Sequence, residues 1–271
     1  FRRPGGVLPT PGLKVGHQVK PSQVIAFSGV DAELVGQATM TDRNADERAS
    51  RDDDPTSWFE PLYRETDLEG DGVPWANMET HPSFRKWLAR HDLKAEGRSA
   101  LVVGCGMGDD AVEVSHRGFA TTAFDVSPSA IEHCQRRFPD ESVQWHVADL
   151  FTPPADWDSG FDFVLETYTV QSLPPRYEAQ VIKRIARLVR EGGQLLVIAI
   201  VSQEARSLEA GPPWVLTPSH IEAFGDRGLT VEDHFVHEGG ARRGDVWVTT
   251  FYRPSGDGSP SDGTLSVTSI K

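Results

Sequence analysis

The chain has 271 residues, 38% of them hydrophobic and 25% charged, enough for one large globular domain with a full apolar core and some loose tail. The 40 acidic against 27 basic residues leave a formal net charge of -13, which repels a phosphate backbone and points away from nucleic acid as a partner. Its two cysteines, Cys105 and Cys134, are too few for a disulfide framework or a structural zinc site, and no stretch approaches the roughly 20 apolar residues of a membrane span; a cytoplasmic protein with no membrane partner and no metal is expected.

Residues 1–39 mix Gly, Pro and short apolar pieces without periodicity, and the first methionine is Met40, the expected natural start. Residues 41–54 are charged and polar. Residues 1–54 therefore read as a disordered or leader-like tail, 55–254 as the folded domain, and the Ser-, Gly- and Asp-rich 255–271 as a flexible C-terminal tail. Within the domain, apolar runs at 100–103, 120–124, 143–147, 161–165 and 194–200 read as strands of a parallel sheet covered on both faces.

Helices are expected between the strands. Ser127 and Pro128 make an N-cap with proline in the first turn, followed by Ile131, Cys134 and Phe138 at helical spacing. Val181, Ile182, Ile185, Leu188 and Val189 form one apolar stripe, with Gly192 and Gly193 as the stop, and Thr217-Pro218 opens another helix. Residues 229–237 and 245–252 then read as two strands of a hairpin joined by residues 238–244.

The most informative segment is the glycine-rich turn after the first strand, with Gly104, Gly106 and Gly108 ahead of Asp109 and Asp110. Glycines there let the backbone approach a ligand closely. A dinucleotide fingerprint would need glycine at position 109, and two carboxylates at a helix N-terminus conflict with a pyrophosphate but not with a cationic sulfonium. Asp125, at the end of the second strand, is placed to accept from both hydroxyls of a ribose. Asp149, after the third strand, is placed to accept from an adenine amino group.

Four segments resemble the thiopurine, thiol and halide methyltransferase group within the class I S-adenosylmethionine-dependent methyltransferases. They are Trp58 to Tyr63 with Val73-Pro74-Trp75, the glycine turn, the run from Phe161 to Pro175, and Gly211-Pro212-Pro213-Trp214. The resemblance implies an α/β Rossmann-like fold: a mostly parallel seven-stranded sheet with a C-terminal antiparallel hairpin and helices on both faces. It implies that Gly104, Gly106, Asp125, Asp149, Leu150 and Glu166 hold S-adenosyl-L-methionine, released as S-adenosyl-L-homocysteine, and that Trp58 and Trp75 close over it as an aromatic lid suited to a cation. It also implies that Glu166, Thr167 and Tyr168 face the reaction centre, with Glu166 and Tyr168 as the catalytic pair. Glu166 and Thr167 depart from the Asp and Tyr usual in that group.

The expected acceptor is a small molecule: a thiol, a heterocyclic thiol or hydroxyl, or a halide-like anion. An O- or N-methyltransferase of a small metabolite is the nearest alternative, and an NAD(P)-dependent oxidoreductase or a non-catalytic cofactor-binding protein lies further off. His146 and His220 are expected to be structural, Trp87 reads equally as a mere core or surface anchor and as a functional member of the aromatic segment, and a monomer or weak homodimer is expected.

Overall fold

The structure, a computed structural model, describes residues 54–204, 211–241 and 244–256. The N-terminal tail through residue 53, with Met40, and the tail beyond residue 256 lie outside the described residues. Burial on both faces explains why the central strands read as unbroken apolar runs. The seven strands are β1 (Ser99–Val103), β2 (Ala120–Asp125), β3 (Val143–Val147), β4 (Phe161–Thr167), β5 (Val189–Val201), β6 (Thr230–Ala241) and β7 (Gly244–Tyr252). They form one sheet in the order β3-β2-β1-β4-β5-β7-β6. The first five pair in parallel, and β7 enters antiparallel between β5 and β6.

One face of the sheet carries Leu101, Val103, Val164, Val197 and Ala199 against Val181, Ile182 and Ile185. Those three belong to α6 (Glu178–Leu188), whose apolar stripe the sheet buries. The opposite face packs Val102, Phe163, Leu165 and Ile198 against Phe84, Trp87 and Leu88 of α2 (Pro82–Arg90) and Ala111 and Val114 of α3 (Asp109–His116). Trp87 is core: it is fully buried and its Nε1 donates to Thr250 Oγ1 at 2.8 Å. The helix expected after Ser127 is α4 (Pro128–Arg137), and Ser127 Oγ accepts from Ala130 N at 3.1 Å as its cap. The helix opened by Thr217 is α7 (Pro218–Gly225).

Two sequence expectations need correction. Val189 does not continue α6, and Gly192 and Gly193 do not stop it; all three lie in β5. Val189 pairs with Phe161 of β4, and a Cβ on Gly193 would lie 2.9 Å from the Phe161 carbonyl oxygen, so the glycines serve an irregularity in the ladder. The hairpin connection is also shorter than residues 238–244, because β6 runs on to Ala241, which pairs with Gly244. A register shift between His237 and Ala241, with Gly239 at φ 59°, lets the strand absorb those glycines.

Candidate functional site

Strand order reverses at β1, whose neighbours are β2 on one side and β4 on the other, and a crevice opens beyond the carboxyl ends of such strands. It has two adjoining parts, open to solvent and of about 640 and 560 Å³ with that open space included. Both are bordered by Trp75, Val103, Gly104, Thr167 and Tyr168. The first part is walled by Phe124, Leu150, Phe151 and Leu173, and Asp125 lies in it. The second is built on the glycine turn, with His81 and Asp110.

The glycine turn is a cradle that side chains would fill. Gly104 and Gly106 sit at φ 59° and 53°, in the left-handed region that glycine adopts most readily. A Cβ on Gly104 would stand 2.9 Å from Thr169 Oγ1, and one on Gly106 would stand 2.9 Å from the Tyr63 hydroxyl. The turn is braced from below by Arg137, which pairs with both oxygens of Asp109 at 2.8 and 2.9 Å and donates to the Met107 carbonyl. Asp110 instead looks toward the crevice and accepts from the backbone N–H of His81 at 2.7 Å. Burial pushes its carboxyl up to about 6.

Asp125 ends β2 with its carboxylate buried. Oδ2 accepts from Gly106 N and Oδ1 from Ser127 N, both at 3.0 Å. Burial pushes this carboxyl up to about 6, against the opposing pull of the N–H groups of Ser127, Gly106 and Val126. Two oxygens offer about four lone-pair sites, so these three N–H groups leave acceptor capacity on the carboxylate. A buried carboxylate with unused lone pairs, beside a cradle that any Cβ would fill and between apolar walls, suits a flat apolar base on a sugar with vicinal hydroxyls. Gly104, Leu150 and Asp125 are the residues here that would hold such a group.

Not every predicted site residue reaches the crevice. The Asp149 carboxylate closes its own turn, accepting from Phe151 N at 2.8 Å and Thr152 Oγ1 at 3.3 Å, while Ala148, Leu150 and Phe151 do the lining. Glu166 is fully buried on the same sheet face as Val164 and is not part of the lining. Its Oε1 accepts from Val170 N at 3.0 Å, which makes it a cap under the one-turn α5 (Thr169–Ser172). Burial pushes its carboxyl up to about 7, opposed by the N–H groups of Val170 and Thr169. Tyr168 and Thr167 do line the crevice.

The aromatic segment forms α1 (Phe59–Arg64) and the loop to Trp75. Phe59, Tyr63 and Trp75 border the crevice, and Trp75 Nε1 donates to the Tyr63 hydroxyl at 3.0 Å. Trp58 stands one layer back: it is buried, stacks on Phe59 at 4.0 Å between ring centroids and meets Trp75 edge-on at 5.7 Å. Sequence reasoning missed the residue that fastens this segment. Glu60 accepts from Ser127 Oγ at 2.6 Å, from Ser129 N at 3.1 Å and from Ser129 Oγ at 2.7 Å, tying α1 to the N-terminus of α4 beside Asp125. It also missed His81, whose Nε2 lies 3.1 Å from the Tyr168 hydroxyl. His146 and His220 stand outside the crevice; His220 bonds Thr217 and Glu178 instead.

Residues 100–193 match a family described as a methyltransferase domain. An uncharacterized methyltransferase of Mycobacterium tuberculosis (strain ATCC 25618 / H37Rv) is 30% identical over 107 residues, 40% of this chain and 53% of that protein. The chain thus spans about half the length of that relative. A probable thiol methyltransferase 2 of Arabidopsis thaliana is 24% identical over 160 residues, covering 58% of this chain and 69% of that one. Among solved structures, the N-methyltransferase NodS of Bradyrhizobium japonicum WM9 in complex with S-adenosyl-l-homocysteine superposes with a TM-score of 0.57 at 19% identity, over 74% of this chain and all of that one (100%). The [4+2]-cyclase SpnF reaches 0.55 at 17% identity, over 71% of this chain and 86% of that chain. These likenesses establish the Rossmann-like methyltransferase fold, on which more than one chemistry is found. Among the described residues no helix is long and apolar enough to cross a membrane.

Proposed function

We propose that the chain is an S-adenosyl-L-methionine-dependent methyltransferase acting on a small molecule whose nucleophile is a thiol, a heterocyclic thiol or hydroxyl, or a halide-like anion. The observation that carries this reading is the buried Asp125 carboxylate, which accepts from Gly106 N of the glycine turn and from Ser127 N and borders the crevice. Asp125 and Gly104 would hold the sugar, Leu150 and Phe124 the base, and the turn with Asp110 the cationic amino-acid end. Phe59, Tyr63 and Trp75 would keep water out. When bound, the cofactor supplies a methyl group on a sulfonium, which the acceptor takes with its own lone pair while the electrons of the broken carbon–sulfur bond stay on sulfur.

The crevice contributes alignment more than proton transfer, which suits an already activated donor. Tyr168 is held protonated, since burial first and the nearby Glu166 and Asp110 charges second push its hydroxyl far up. Glu166 is turned under α5. Asp125 is assigned to the sugar, and Asp110 is held through Oδ1 by the backbone N–H of His81. An acceptor that ionises near neutral pH, as a thiol does with a pKa of about 8.5, needs no dedicated base. The likeness to a probable thiol methyltransferase supports the same class.

A screen with radiolabelled methyl donor against small thiols, phenols, hydroxyquinolones, carboxylates, amines and halides tests this. Transfer to thiols or other anionic nucleophiles is expected. Transfer confined to amines contradicts the acceptor class.

A further inference from the structure

We infer that His81 is a positioning residue: it fixes the Tyr168 hydroxyl as a hydrogen-bond donor aimed at the electron-rich atom of the acceptor. The inference rests on the methyltransferase reading above and adds a specificity device to it. His81 precedes α2 and lies 87 residues from Tyr168, yet their rings meet edge-to-face with centroids 5.0 Å apart.

The direction of the hydrogen bond follows from elimination. The backbone N–H of Ser83 points at His81 Nδ1 at 3.2 Å, and a backbone N–H can only donate, so Nδ1 carries no proton. A neutral imidazole must then carry its proton on Nε2. Nε2 lies 3.1 Å from Tyr168 Oη, so His81 donates and the tyrosine oxygen accepts. Burial, reinforced by the charges of His237 and Arg85, brings His81 down to about 4, so the neutral ring persists at physiological pH.

With an Oη lone pair engaged by His81, the single hydroxyl proton of Tyr168 is turned elsewhere. Among the described residues Oη has no second protein partner. The residue itself is held firmly: it adopts φ 63° at the N-terminus of α5, its N–H donates to Ile198 O at 3.0 Å, and its carbonyl accepts from Ser172 Oγ at 2.8 Å. It borders both parts of the crevice, where a nucleophile would meet the methyl group. A donor in that place grips a thiolate, a phenolate or a halide by a lone pair. Its proton finds no lone pair on an ammonium group to bind.

The competing role for His81 is merely to cap α2, which its Nδ1 does. His81→Asn separates the two, since asparagine is a favoured N-cap but its shorter side chain lacks the arm that reaches Tyr168. The full chain, alone and with S-adenosylhomocysteine added, is first probed by long-range proton–nitrogen NMR of the imidazole. A single tautomer, protonated at Nε2, is expected; an Nδ1-protonated or averaged ring overturns the inference whether or not any methyl group moves.

With thiophenol as acceptor, His81→Asn should lower kcat/KM by about tenfold or more, the loss expected for one hydrogen bond to a charged partner. Its affinity for S-adenosylhomocysteine should stay within about twofold, and adding it to Tyr168→Phe should cost nothing further, because the two residues act as one unit. Wild-type turnover in His81→Asn, or additive losses in the double variant, assigns His81 to capping alone and overturns the proposal. A protein that shows the single tautomer and binds S-adenosylhomocysteine yet methylates no anionic acceptor also overturns it. Failure to bind S-adenosylhomocysteine instead rejects the underlying methyltransferase reading and leaves the tautomer result standing.

Discussion

The two parts of the crevice are built on different principles. The part holding Asp125 is made by consecutive strand ends, with apolar walls and one carboxylate pinned by main-chain N–H groups. The part holding Asp110 is the more polar of the two and is assembled from segments far apart in the chain: His81 from before α2, the glycine turn, and Tyr168 after β4. A parallel sheet brings its strand ends together whatever their side chains are, so the first part is a consequence of the backbone. The second adds to the glycine turn particular side chains that meet across it. Ligand affinity should therefore be most sensitive to the backbone, at the strand ends and in the glycine turn, and acceptor choice to the side chains of His81 and Tyr168.

The largest effect that would sharpen this contrast is expected at the glycine turn. Gly106→Ala places a Cβ 2.9 Å from the Tyr63 hydroxyl at φ 53°. Left-handed strain of about 1–2 kcal/mol plus displacement of the lid should lower affinity for S-adenosylhomocysteine by something on the order of 100-fold, measured by titration calorimetry. A loss under threefold would break the claim that the cradle is set by backbone shape.

A stability measurement should give the next largest effect. Glu166 has its pKa raised from 4.5 to about 7 by burial. A carboxyl raised in the folded state favours folding fully below its unfolded value, and that contribution is lost as pH rises through about 7. Glu166→Gln removes the burden of ionisation while keeping an oxygen for the α5 cap. It should therefore stabilise the protein by roughly 2–3 kcal/mol at pH 8 and by little at pH 4, read from denaturant midpoints. Equal effects at both pH values would mean that Glu166 is not a desolvated carboxyl, and a large fall in turnover with unchanged stability would return it to the reaction centre.

What the sequence revealed follows the same division. The strands, the glycine turn, the place of Asp125 at a strand end and the terminal hairpin were legible because each depends on neighbours in the chain: an apolar run, a Gly-x-Gly spacing, a residue closing a strand. The pairing of Glu60 with Ser127 and Ser129, and of His81 with Tyr168, spans 67 to 87 residues and leaves no local pattern. The placement of Glu166 was hidden for another reason. Its position at the end of β4 was legible, but the alternation along that strand turns its side chain to the α6 face, and Tyr168 takes the place at the crevice. Gly192 and Gly193 misled because a glycine pair reads the same at a helix stop and at a strand irregularity.

The most direct test of the central claim is calorimetric titration of wild type and Asp125→Ala with S-adenosylhomocysteine and with NAD. Wild type should bind S-adenosylhomocysteine and not NAD. Because Asp125 titrates at about 6, that affinity should fall below pH 6 by about tenfold per pH unit. Asp125→Ala should weaken it at pH 7.5 by about 1–3 kcal/mol, the cost of leaving buried hydroxyls without an acceptor. Unchanged affinity in the variant, or preferential binding of NAD by the wild type, would contradict the account.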